Sequence, residues 1–117
     1  MERVLGIGGF FVRSADPGAL NAWYRDHLGI GVDPDHPWEQ EAGPTVFSGF
    51  DADTEYFGSP RQQAMLNFRV RDLDAMLTQL RAAGADVSDD VEDMDGVGRF
   101  GWVTDPEGNR VELWQPA

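Results

Sequence analysis

Polar and apolar positions alternate most clearly near the end of the chain. In Arg110-Val111-Glu112-Leu113-Trp114, Val111 and Leu113 fall on one face of an extended strand, and Arg110, Glu112 and Trp114 fall on the other. Asp105-Pro106 opens a turn before this strand, and Gly108-Asn109 closes it. Glu112 thus sits among apolar neighbours, where an unpaired carboxylate is costly. It needs water, a partner cation or a metal, and the plain structural reading is an ion pair with a nearby arginine or an exposed edge.

The same two periods run through the rest of the chain. Val4 to Arg13 alternates like a strand, with Phe10 and Val12 on one face and Phe11 and Arg13 on the other. Ser14, Asp16 and Pro17 supply a helix start, Leu20, Trp23, Tyr24, His27 and Leu28 recur at helical spacing, and Gly29 ends the run. Ile30 to Asp33, Trp38 to Glu41 and Thr45 to Phe50 are short strand-like segments separated by turn residues, and Asp51 to Gln63 reads as a linker. The order then recurs. Met65 to Arg71 predicts a strand, Asp72 caps a helix carrying Leu73, Met76, Leu77 and Leu80, and Gly84 stops it. Asp86 to Glu92, Arg99 to Thr104 and Asn109 to Trp114 predict three further strands.

Placing Asp72 on Asp16, an offset of 56 residues, also places Arg69 on Arg13, Ala75 on Ala19 and Arg81 on Arg25. The repeated order of strand, helix and three strands predicts an α+β chain made of two βαβββ units, residues 1–58 and 59–117, within one domain spanning 1–117. One helix covers one face of its sheet. Two units side by side would then curl a mixed sheet around a concave cavity, with Phe10, Val12, Leu66, Phe68, Val111 and Leu113 toward the helices. Phe11, Arg13, Asn67, Arg69, Arg110, Glu112 and Trp114 are expected to point into the cavity.

Composition narrows the chemistry. There is no cysteine, which removes disulfides, thiolate nucleophiles and thiolate metal sites. A formal net charge of −12 repels phosphate backbones and anionic lipid, so neither nucleic acid nor a membrane is an expected partner. No apolar run reaches the roughly 18 residues of a membrane span, and the N-terminal stretch lacks a signal-like apolar region. A cytoplasmic location is the expectation. The acidic run Asp89 to Asp95 lacks the glycine and terminal glutamate placement of a calcium-binding loop and reads as a solvated rim.

The paired βαβββ order, the run RSADPGALNAWYRDHLGI, its counterpart NFRVRDLDAMLTQLRAAGADV and the ending DPEGNRVELWQP resemble the vicinal oxygen chelate superfamily. That group comprises the glyoxalase, bleomycin resistance and extradiol dioxygenase proteins. The resemblance implies a cavity between units and, in metal-using members, four ligands from the first and last strands of each unit. Here those positions carry Gly9, Met65, Phe47 and Glu112, so only Glu112 matches. Glycine and phenylalanine donate no side-chain electron pair, and a thioether is a poor ligand for hard cations. Neither a metal nor another cofactor is therefore expected. His27, in the last turn of its helix, is expected to meet terminal carbonyls, and His36, between Pro34 and Pro37, to be solvated.

What remains is a cavity of arginines and aromatics. Phe11, Trp38, Phe47, Phe100, Trp102 and Trp114 are candidate walls, and Arg13, Asn67, Arg69, Arg110 and Glu112 are candidate polar contacts. Such a site suits a small, anionic or aromatic molecule held without metal, as in the bleomycin resistance proteins. Two alternatives compete with it: a lyase, isomerase or dioxygenase using Glu112 as metal ligand or general base, and an interaction module with an unused cavity. The resemblance further implies a homodimer.

Overall fold

The structure is a computed structural model that describes residues 1–31, 33 and 35–117. Its order of elements is α1 (Pro17–Leu28), β1 (Asn67–Arg69), α2 (Leu73–Ala82), β2 (Asp86–Val87), β3 (Glu92–Met94), β4 (Gly98–Thr104) and β5 (Arg110–Pro116). Both helices begin as their sequences predict. The Asp16 and Asp72 side chains accept the amide protons of Ala19 and Ala75, and Gly29 closes α1 in the left-handed conformation with φ 72°.

The strands form one curled, unclosed mixed sheet in the order β1-β5-β4-β2, with β3 also paired to β4. Only β1 and β5 run parallel, because α2 crosses between β1 and the later strands. Val103, Val111 and Leu113 of the sheet meet Leu73, Leu77 and Leu80 of α2 in a fully buried core. Burial of each such aliphatic side chain stabilises the fold by about 1.5–3 kcal/mol. The faces of β5 are those that alternation predicts.

Two expectations change. The predicted strand Asp86 to Glu92 is broken into β2 and β3: between the pairs Val87–Val103 and Glu92–Phe100 the outer strand advances five residues while β4 advances three. Those two extra residues form a bulge in the acidic run. In the first half, α1 forms, but among the described residues Val4–Arg13, Trp38–Glu41 and Thr45–Phe50 enter no ladder. The segment Ile30–Asp33 includes Val32, which lies outside the described residues, as does Pro34 beside His36. Phe10 and Val12, expected against a helix, are instead exposed, together with Val4, Leu5, Ile7, Phe11, Val46, Phe47 and Phe50. A strand needs a neighbour to accept its ladder bonds, and these segments have none among the described residues.

The first half is nevertheless fastened to the sheet. Asp105, only 4% exposed, accepts the Glu107 and Asn109 amides on Oδ1 and both the Asn109 side chain and the Tyr24 hydroxyl on Oδ2. The β4–β5 turn thereby holds α1 through Tyr24 at 2.6 Å. Burial first, then the Asp105 hydrogen bond and charge, raise the Tyr24 phenol well above its ordinary value of 10.0, so it remains a donor at neutral pH. Ser14 adds a second tie, donating to Glu107 at 2.5 Å.

Candidate functional site

Glu112 lies on the sheet face opposite α2 and is 7% exposed. Strand register determines its company. Asn67 of β1 stands opposite it on one side and Trp102 of β4 on the other, so two side chains from flanking strands converge on one carboxylate. Asn67 Nδ2 donates to Oε1 at 2.7 Å, and Trp102 Nε1 donates to Oε2 at 3.1 Å. The Tyr56 hydroxyl also donates to Oε2. The buried acid is therefore held by three neutral donors.

This corrects the expectation of an arginine partner. Among the described residues no cationic side chain comes within 4.0 Å of the Glu112 carboxylate. Arg110 instead lays its guanidinium over the Trp102 ring, 4.8 Å from the centroid, and near the Tyr56 ring at 5.9 Å. Its Nε is buried without a partner. Arg69 donates to the Glu41 carbonyl at 2.7 Å and fills the space where a side chain at Gly43 would stand. Arg13 is exposed.

Tyr56 is the site residue that the sequence reading missed, because it falls in the segment taken as a linker. A signal existed: the 56-residue repeat offset that pairs Asp16 with Asp72 also pairs Tyr56 with Glu112. Burial, followed by the Glu112 hydrogen bond and charge, holds the Tyr56 phenol well above its ordinary value of 10.0. Phe50 stacks on Tyr56 at 5.6 Å, and Gln62 receives the Arg110 amide and donates to the Arg110 carbonyl, both at 2.8 Å. Gln62 thus satisfies the stretch of β5 that β1 does not reach.

Beyond Glu112, Phe100 and Trp114 are cross-strand partners with parallel rings whose centroids are 6.1 Å apart. Trp114 is fixed by its indole N–H, which donates to the Val97 carbonyl at 3.0 Å. This aromatic ledge, Glu112, Asn67 and Arg69 border an open groove of about 2660 Å³ between the sheet and the first-half segments. Tyr56, Trp102 and Arg110 line a separate cavity of about 570 Å³ with Glu55, Asp90 and Glu92. Of the other predicted walls, Trp38 meets Phe68 edge to face at 6.3 Å, whereas Phe11 and Phe47 are 94% and 96% exposed.

The donor set does not fit a divalent metal. Gly9 and Phe47 carry no ligand atom, Met65 offers only a thioether, and hydrogen atoms from three donors already point at Glu112. Among the described residues, no group of three or more His, Asp or Glu is arranged to hold a cation. His27 meets the Trp23 carbonyl at 3.0 Å as its helical position predicts, and His36 lies at the surface 2.6 Å from Asp33.

A helix-backed, curled mixed sheet with a polar cluster on its open face is the architecture of the glyoxalase, bleomycin resistance and dioxygenase proteins of the vicinal oxygen chelate superfamily. Residues 9–114 match the glyoxalase-like domain, and the chain belongs to that family. Among solved structures, the antibiotic-binding protein TnmS3 from Streptomyces sp. CB03234 is 21% identical, with 100% of each chain covered and a TM-score of 0.63. A protein of unknown function from Agrobacterium tumefaciens str. C58 is 18% identical, covering 97% of this chain and 98% of that chain at a TM-score of 0.54. At these identities the likeness is one of fold. Comparison with curated proteins finds no match.

Proposed function

We propose that this chain is a metal-independent small-molecule-binding protein, built from units 1–58 and 59–117 and acting as a cytoplasmic homodimer. The observation that carries the reading is the Glu112 cluster. In metal-using relatives the corresponding carboxylate needs partners with lone pairs, and here its partners, Tyr56, Asn67 and Trp102, present hydrogens instead. The adjoining Phe100 ring, partly exposed and backed by the buried Trp114, offers apolar surface of the kind that ligand sites use. The fold-level likeness to an antibiotic-binding protein supports the same class of function.

The homodimer rests on the apolar side chains of Val4, Leu5, Ile7, Phe10, Phe11, Val46 and Phe47, which one chain leaves in water. Among the described residues no helix is long and apolar enough to cross a membrane. A groove of about 2660 Å³ exceeds the roughly 300–1,000 Å³ typical of small-ligand sites, and a second copy would narrow it.

Elemental mass spectrometry on protein purified without chelator or nickel tests the metal-free reading. Metal far below one per chain in the wild type, unchanged in Glu112→Ala, is the expected result. Near-stoichiometric metal lost in that variant would overturn the reading and favour a metalloenzyme.

A further inference from the structure

A carboxylate offers about four acceptor positions, two on each oxygen. On Glu112, Oε2 takes the Tyr56 hydroxyl and the Trp102 indole, and both positions are filled. Among the described residues Oε1 takes only the Asn67 amide. One acceptor position on Oε1 is left. The two sides of the carboxylate also face different spaces: Tyr56 and Trp102 line the small cavity, whereas Asn67 and Glu112 itself border the open groove beside Phe100 and Trp114. The unfilled position therefore belongs to the groove side.

The geometry points to a ligand class that follows from this asymmetry: a planar aromatic molecule that packs on the partly exposed ring of Phe100, which the buried Trp114 backs, and donates one N–H or O–H to Oε1 of Glu112. The inference rests on the small-molecule-binding reading and sharpens it. Arg110 lies over the Trp102 face and lines the small cavity, whereas Arg69 gives one N–H to the Glu41 carbonyl and borders the groove beside Trp114. A buried acceptor discriminates strongly, because a ligand lacking the donor leaves it unpaired and a ligand bearing an acceptor or anion repels it. Tyr56 acts as a positioning residue: it locks the Oε2 side, which turns Oε1 toward the groove.

A matched set of naphthalenes tests this with the wild-type protein, read by tryptophan fluorescence and calorimetry. The set comprises 2-naphthol and 2-(aminomethyl)naphthalene, which donate, and 2-methoxynaphthalene and naphthalene-2-sulfonate, which do not. The donors are expected to bind at least about tenfold more tightly than the other two. Separate binding of the neutral and the ammonium donor shows whether charge adds to the shared hydrogen bond. In Glu112→Gln, with folding checked by circular dichroism, the preference is expected to fall below about threefold; in Tyr56→Phe it is expected to narrow while the ledge still binds.

Equal binding of all four by the wild type, lost in Phe100→Ala, would overturn the donor assignment and leave small-molecule binding standing. Tighter binding of the sulfonate would overturn it too. No binding of any of the four would sink both.

Discussion

Glu112 is a buried carboxylate on the last strand whose three partners, the Tyr56 hydroxyl, the Asn67 amide and the Trp102 indole, all donate to it. Removing one donor from such a cluster leaves an under-satisfied buried acid. Tyr56→Phe should therefore destabilise the fold by about 1–3 kcal/mol, and Asn67→Leu by a similar amount. Urea midpoints at constant slope are the measurement, and an unchanged midpoint in both variants would mean that water replaces the lost donors. Tyr24 makes a related prediction with a sign. Its phenol, like that of Tyr56, is raised in the folded state, so the stability it contributes is fully present below about pH 10, the unfolded value, and is lost as pH rises toward the folded one. Stability should fall more steeply between pH 10 and 11 in the wild type than in Tyr24→Phe. Parallel curves would show that the phenol keeps its ordinary titration.

At the scale of elements, the helices are set by short-range chemistry and the sheet by partners. Asp16→Ala and Asp72→Ala each remove a side-chain acceptor from a first helical turn and should cost about 1 kcal/mol in chemical denaturation. Gly98 is a stronger test of register. Its φ of 138° admits glycine, and a Cβ there would stand 2.2 Å from the Gln115 carbonyl oxygen, so Gly98→Ala should strain the β4–β5 pair and lower the melting temperature.

What was legible beforehand follows the same division. Alternation of Val111 and Leu113 against Glu112 fixed the faces of β5, since a slip of one residue would have put the acid into the α2 core. The bulge between β2 and β3 was not legible, because nothing in the acidic run marks where two residues leave the ladder. Tyr56 carries no local period, because its role depends on a long return of the chain, and only the 56-residue offset that places it on Glu112 marks it. The arginine expected at Glu112 failed for a physical reason. Neutral donors, two of them set by strand register, satisfy the carboxylate, and Arg110 lies over the Trp102 face instead.

At the scale of the whole molecule, the two halves differ in how they meet water. The second half closes its core around α2, while the first leaves Phe11, Phe47 and Leu5 almost fully exposed. The radius of gyration, 14.8 Å, exceeds the roughly 13.4 Å expected for a compact chain of this length. Exposed apolar surface favours association, and a net charge of −12 on each copy opposes it. For the homodimer we propose, screening would weaken the repulsion and leave the apolar attraction, so association should tighten as ionic strength rises. Sedimentation equilibrium should show twice the 13.0 kDa chain mass, with a dissociation constant that falls on going from low to moderate salt. Phe47→Asp adds a charge to the exposed stretch and should raise that constant by at least about tenfold while leaving the α2 core intact by circular dichroism. A wild-type chain that remains monomeric at every concentration and salt would show that the exposed stretch is covered in another way, and would return the open groove to the single chain.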